Sequence, residues 1–202
     1  MAVLSRFPFS ARHPHTNETY LVSGRRLHVS RGFAELDIRV NDHYTFTLFT
    51  AHLKSKRPVG VADQADMRLE EAKVLRRLVD ERLAEHPDAN ILVCGDFNDL
   101  YNSPPVKTIV GRGRNELTDT RPAERNGDDQ PNPQNPNWFP RNVTWTHFYG
   151  AEDTYSRIDY ILLSPGMTRE WQKEGTYVLT APNWGIASDH RPLVATFTSE
   201  DR

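Results

Sequence analysis

The chain has 202 residues, 25 Lys+Arg against 27 Asp+Glu, and a formal net charge of −2. With 37% hydrophobic and 26% charged residues it has the composition of a folded chain, and its length suits a single domain, residues 1–202, with a sizeable core. The lone Cys94 excludes a disulfide scaffold or a Cys-rich zinc module, no apolar run reaches the roughly 18 residues of a membrane span, and the balanced charge gives no strongly basic footprint for nucleic acid.

In chain order, Ala34, Leu36, Ile38 and Val40 alternate with Glu35, Asp37 and Arg39, the period of a half-buried strand. Asn41-Asp42 signals a turn, and alternation resumes over residues 44–50, so the pair reads as a β-hairpin. Asp63 is placed to cap a helix running to about residue 83, with Asp66 in its first turn and Ala72, Leu75, Val79 and Leu83 on one face. Ile91-Leu92-Val93-Cys94 is a continuous apolar run that suits a strand covered on both faces. Residues 115–141, crowded with Pro131, Pro133, Pro136 and Pro140, read as a long irregular surface loop. Strand patterns follow at 143–148, 157–163, 176–179 and 193–197, which together predict an α+β protein built on packed sheets.

Four polar clusters lie at the ends of these strand patterns: Ala51-His52-Leu53-Lys54, Gly95-Asp96-Phe97-Asn98, Ser156-Arg157-Ile158-Asp159-Tyr160 and Ser188-Asp189-His190-Arg191. A strand can aim a side chain at its exit, which is why such positions favour active sites. Asp96 and Asn98, two residues apart, offer a carboxylate and an amide oxygen suited to a hard cation or an activated water, and equally suited to a turn. Asp159 interrupts an apolar strand and requires a partner, either a histidine whose tautomer it would fix or an arginine or backbone amide. Asp189-His190 pairs a metal-type carboxylate with an imidazole, or makes a surface turn.

Taken in order, AHLKS at 51–55, GDFND at 95–99, SRIDY at 156–160 and SDHRP at 188–192 resemble the motifs of the endonuclease/exonuclease/phosphatase superfamily, the DNase I-like fold. VLSRFPF at 3–9 and SRGFAEL at 30–36 resemble that family's second strand region. The resemblance implies a four-layered α/β sandwich of two mainly antiparallel sheets flanked by helices, and phosphoester hydrolysis that depends on Mg²⁺ or Mn²⁺. It also implies roles. Asp96 would orient or deprotonate the attacking water, and Asn98 would hold the phosphate or the metal. His190, paired with Asp159, would stabilise the developing charge on the phosphoryl oxygens or move a proton, Asp189 would join Asp96 and Asn98 near the metal, and His52 would bond the phosphate or protonate the leaving oxygen. Acids, an amide and histidines around a dication are a coherent set for an anionic substrate.

Members of that family normally begin with an Asn-bearing strand and a strand ending Gln-Glu, whose glutamate binds the metal. Neither precedes Ala2, and neither Glu18 nor Glu35 replaces it, so the expectation is a sandwich incomplete at its amino terminus, short of the roughly 250 residues such a fold uses. The alternative to a hydrolase is therefore a phosphate-binding homologue with impaired metal binding. The substrate is a phosphoester, with nucleic acid one option, and its choice is assigned to loops such as 115–141. Trp138, Phe139, Trp145 and His147 are candidates to stack on it, with simple packing the competing role, and Arg112, Arg114, Arg121, Arg125 and Arg141 add positive charge near that loop. Lys54, Lys56 and Arg57 follow His52 closely enough to meet a phosphate. Localisation stays open, since any signal would lie upstream of Met1.

Overall fold

Regular structure begins with three strands that the alternation did not signal: β1 (Phe9–His15), β2 (Thr19–Val22) and β3 (Arg25–His28). These and the elements below belong to a computed structural model that describes residues 1–125, 134–135 and 142–201. β2 and β3 form a hairpin closed by Ser23-Gly24, both at positive φ (49° and 74°), the geometry whose twist matches paired strands. The expected hairpin follows as β4 (Phe33–Arg39) and β5 (Thr45–His52), paired antiparallel from Phe33↔Ala51 to Arg39↔Thr45.

Helix α1 (Gln64–Glu85) begins where expected: the Asp63 carboxylate accepts from the backbone N–H groups of Ala65 (2.7 Å) and Asp66 (3.2 Å), and Ala72, Leu75, Val79 and Leu83 are buried. Asp63→Ala is expected to cost about 1 kcal/mol. That corresponds to a melting temperature lower by roughly 2–4 °C in a thermal scan, with Asp63→Ser restoring most of it.

Beyond α1 come β6 (Ile91–Asp96), α2 (Pro104–Val110), β7 (Thr118–Asp119), β8 (Ala123–Glu124), β9 (His147–Tyr149), β10 (Thr154–Ser156), β11 (Asp159–Leu163), α3 (Pro165–Glu170), β12 (Trp171–Val178), α4 (Trp184–Ala187) and β13 (Leu193–Phe197). Two expectations are corrected here. Residues 115–141 are not loop throughout, because β7 extends the main sheet alongside β11 and β8 pairs parallel with β12. The strand expected at 143–148 is only β9, since Val143 bonds to Glu124 and Thr146 to Ser156 and Arg191 through isolated backbone bonds instead of a ladder. Pro131, Pro133, Pro136, Pro140, Trp138, Phe139 and Arg141 lie outside the described residues.

The main sheet has the order β1-β4-β5-β6-β11-β7, antiparallel except where β5 runs parallel to β6. Its alternating side chains build two cores. Phe49, Ala51, Ile91, Val93, Tyr160 and Leu162 pack on one face with Leu75 and Val79 of α1 and Val106 and Ile109 of α2. Leu92, Cys94, Ile161 and Leu163 pack on the other with Trp171, Leu193, Ala195 and Phe197 of the sheet β13-β12-β8. This is the α+β sandwich of packed, mainly antiparallel sheets with helices that the motif order implied. By the period of two, His52, Asp96 and Asp159 fall on the second face, where β5 and β6 end and β11 begins.

Candidate active site

Strand register brings the first three polar clusters together. Asp96 lies directly opposite His52 across β5–β6 and directly opposite Asp159 across β6–β11, so one row of the sheet carries all three side chains. Gly95 makes the approach possible: it sits at φ 140°, and a Cβ there would fall on the Ala51 carbonyl oxygen.

Asp96 leads into a tight turn in which Asn98 takes a left-handed φ of 53°, a conformation Asn tolerates. The Asn98 backbone N–H donates to Asp96 Oδ1 (2.8 Å), and its side-chain Nδ2 donates to Asp96 Oδ2 (3.1 Å) and to the Leu53 carbonyl (3.1 Å). Both amide hydrogens are thus used, and Asn98 Oδ1 remains an acceptor. Asp96 Oδ2 also faces His52 Nε2 at 3.3 Å and His190 Nε2 at 4.0 Å. Burial, reinforced by the Asp159 charge and partly offset by the Asn98 N–H, pushes the Asp96 carboxyl up to about 6. Burial, and then the Arg31 guanidinium, hold the His52 imidazole below its usual range.

His190 reaches this row from the connection between α4 and β13. Its Nδ1 meets Asp159 Oδ2 at 2.9 Å, which directs Nε2 toward Asp96 and raises the imidazole pKa against the effect of burial. Thr146, fully buried, fixes the carboxylate: its hydroxyl donates to Asp159 Oδ2 (2.6 Å) and accepts from the backbone N–H groups of Ile158 and Asp159 (both 3.2 Å). The next residue anchors the loop. Arg191 is buried, pairs with Glu124, donates to the Trp145 carbonyl (3.2 Å), and lies 3.9 Å over the Trp145 ring.

Of the residues expected from sequence, His52, Asp96, Asn98, Asp159 and His190 therefore form one connected group. Asp189 is 69% exposed and its carboxylate lies 3.6 Å from His147 Nε2; it shares no direct contact with Asp96 or Asn98, and His190 stands between them. Trp145 packs against Tyr155, Trp184 and Arg191, which is the packing role. Lys54 is turned away: its buried ammonium donates to the carbonyls of Ser55 (3.0 Å) and Arg57 (2.7 Å). Arg112 and Arg114 line a cleft with Arg76 and Asp80 that contains no site residue, and Arg121 and Arg125 lie over Tyr101 and Tyr177.

Two residues escaped the sequence reading as members of the site. Arg31 donates to the Leu53 carbonyl (3.0 Å) and its charge is felt at both His52 and Asp96. His147, weighed only as a stacking ring, forms a β-bridge with His190, and the two imidazoles lie 4.6 Å apart. The SRGF segment was the one available signal for Arg31; His147 had none, because a β-bridge to a residue 43 positions away leaves no periodicity.

The fold resembles several solved structures. The catalytic domain of human Nocturnin with bound sulfate anion aligns with TM-score 0.62 and 16% identity over 96% of this chain and 60% of that one. Sphingomyelinase C from Streptomyces griseocarneus aligns with TM-score 0.61 and 15% identity over 96% and 66%. An endonuclease/exonuclease/phosphatase family protein from Bacteroides thetaiotaomicron aligns with TM-score 0.57 and 20% identity over 94% and 63%. The chain thus spans about three-fifths to two-thirds of the length of these structures. No curated protein matches it by sequence. The Endonuclease/Exonuclease/phosphatase family profile matches residues 1–190, a span that holds His52, Asp96, Asn98, Asp159 and His190, and the chain belongs to that family, whose superfamily includes metal-dependent phosphoesterases.

Proposed function

We propose that this chain hydrolyses phosphoester bonds by attack of water at phosphorus, assisted by Mg²⁺ or Mn²⁺. The observation that carries the reading is the row His52–Asp96–Asp159, completed by His190 on Asp159. Asp96 supplies a carboxylate oxygen that faces the two histidines and is basic enough at neutral pH to accept a proton from water. His190, held by Asp159 with Nε2 turned toward Asp96, donates to a phosphoryl oxygen on which charge develops. His52 stands ready to bond the phosphate or to protonate the leaving oxygen, and Arg31 adds fixed positive charge beside it.

The donor set fits a hard dication: the Asp96 carboxylate and the Asn98 Oδ1 would be its oxygen ligands, on a turn that their mutual hydrogen bonds hold together. A bound ion would neutralise phosphoryl charge that an acidic site otherwise repels.

The test is hydrolysis of bis(p-nitrophenyl) phosphate and p-nitrophenyl phosphate with Mg²⁺ or Mn²⁺. His190→Ala is expected to lower kcat by about 10²–10³-fold. Rates unaffected by both His190→Ala and Asp96→Ala would overturn the reading, and phosphate binding without turnover would favour a binding homologue.

A further inference from the structure

We propose that His147, Asp189 and His190 form a metal site of their own, suited to a transition dication such as Zn²⁺, Co²⁺ or Mn²⁺ rather than to Mg²⁺. The proposal takes its place in the site from the phosphoesterase reading but is tested on binding alone. The chemistry of the donors comes first. Two imidazole nitrogens and one carboxylate match the ligand preference of zinc-like ions, whereas Mg²⁺ seeks oxygen ligands and retains its waters.

Geometry supports the set in three ways. The three ligand atoms lie within 4.8 Å of one another, and the 3.6 Å from His147 Nε2 to Asp189 Oδ2 is close to the spacing of two ligands on one ion. For tetrahedral coordination with bonds of about 2.1 Å that spacing is about 3.4 Å. The backbone holds the set in place, because His147 and His190 face each other in a β-bridge and the Phe148 N–H donates to the Asp189 carbonyl (3.1 Å). Asp189, on the exposed rim, has the freedom to close the remaining gap.

The third support is independent of the cluster itself. Metal-bound imidazoles characteristically donate their other N–H to a carboxylate, which fixes the tautomer and strengthens the ligand. His190 has that arrangement: Nδ1 is on Asp159, Asp159 is locked by the Thr146 hydroxyl, and Nε2 is the nitrogen left over for a ligand. Three protein ligands leave coordination positions open for water or a phosphate oxygen. Occupation also engages the same His190 Nε2 that hydrolysis needs as a donor, so Zn²⁺ here opposes Mg²⁺-supported turnover.

The experiment titrates the full chain with Co²⁺ in the presence of excess Mg²⁺, which fills the Asp96–Asn98 oxygen site, and follows the visible ligand-field absorption. Wild type is expected to take up one equivalent, displaced by Zn²⁺. Asp159→Asn, which removes the support behind His190, should weaken binding by about 10–100-fold, and His147→Ala by more. Circular dichroism checks that the variants fold. A measurement on unaltered protein stands beside them: Zn²⁺ should shift the ring resonances of both His147 and His190 in NMR spectra and leave His15 in place. Co²⁺ absorption unchanged in folded His147→Ala, or Zn²⁺ shifting His190 without His147, would overturn the proposal. Full Co²⁺ binding in a chain that hydrolyses no phosphoester would instead refute the phosphoesterase reading and leave this site standing.

Discussion

Asp96→Asn is expected to lower kcat by about 10³–10⁴-fold, the upper part of the range for a positioned acid or base. The amide retains an oxygen for the Asn98 N–H but has no lone-pair site that can take a proton from water. The same change has an opposite effect on the fold. The Asp96 carboxyl is raised from 3.8 to about 6 in the folded chain, so between those values the folded state holds a proton that the unfolded state has released. Stability contributed by the protonated form is therefore lost as pH rises from about 4 to about 6, and at neutral pH the buried charge costs about 3 kcal/mol at 1.4 kcal/mol per pKa unit. In metal-free buffer at neutral pH the Asn variant should melt at or above the wild-type temperature, with the gap closing below pH 4. In the wild type kcat/KM should fall about tenfold per pH unit below about 6, and this fall should move to lower pH as the Mg²⁺ concentration rises. Wild-type kcat in the Asn variant, or a pH profile flat through that window, would remove Asp96 from the role of base.

Glu71→Ala should produce the largest loss of stability. Glu71, on α1, is fully buried, and its carboxylate accepts from the Ser30 N–H (2.8 Å), the Ser30 hydroxyl (2.6 Å) and the Lys54 N–H (2.6 Å). Removing it leaves three donors without a partner, a cost of about 3–5 kcal/mol, or roughly 6–20 °C in melting temperature. Glu71→Gln, which keeps one acceptor oxygen, should lose about half as much. The effect reaches the site, because Ser30 precedes Arg31 and Lys54 lies two residues beyond His52. Arg68 grips the same segment from one turn earlier in α1, donating to the Lys54 carbonyl (3.0 Å) and to Asp99 (2.9 Å). Thermal denaturation with substrate titration would measure both, with KM expected to rise in the Gln variant. A loss under about 1 kcal/mol for Ala would mean that water replaces the carboxylate.

The parts of this molecule legible in the sequence are those in which local pattern and tertiary burial agree. β4 and β5 alternate because their two faces differ: Phe33, Phe49 and Ala51 pack under α1 while Leu36 and Ile38 stand opposite Leu48 and Phe46 on the other face, and α1 announces itself through the Asp63 cap and its buried stripe. β1 gave no such signal: among the described residues it is an edge strand paired only with β4, largely exposed, and carries Pro14 and two histidines. β7 and β8, two residues each, are too short for any period and exist because β11 and β12 offer them an edge. At the site the contrast is similar. Asp96, Asn98, Asp159 and His190 sit within compact clusters, whereas Arg31 and His147 are single residues whose relevance arises from strand register and a β-bridge.

That register acts as a ruler. Because His52, Asp96 and Asp159 are aligned by hydrogen bonds of three adjoining strands, their spacing is indifferent to how many residues lie between them along the chain, 43 from His52 to Asp96 and 62 from Asp96 to Asp159. A residue added within β11 would carry Asp159 to the opposite face, while one added to the connections would leave the row untouched. The chain thereby separates two kinds of change. The alignment of the row is guarded by the sheet, and the rim built on the connections is free to change without the row being reassembled.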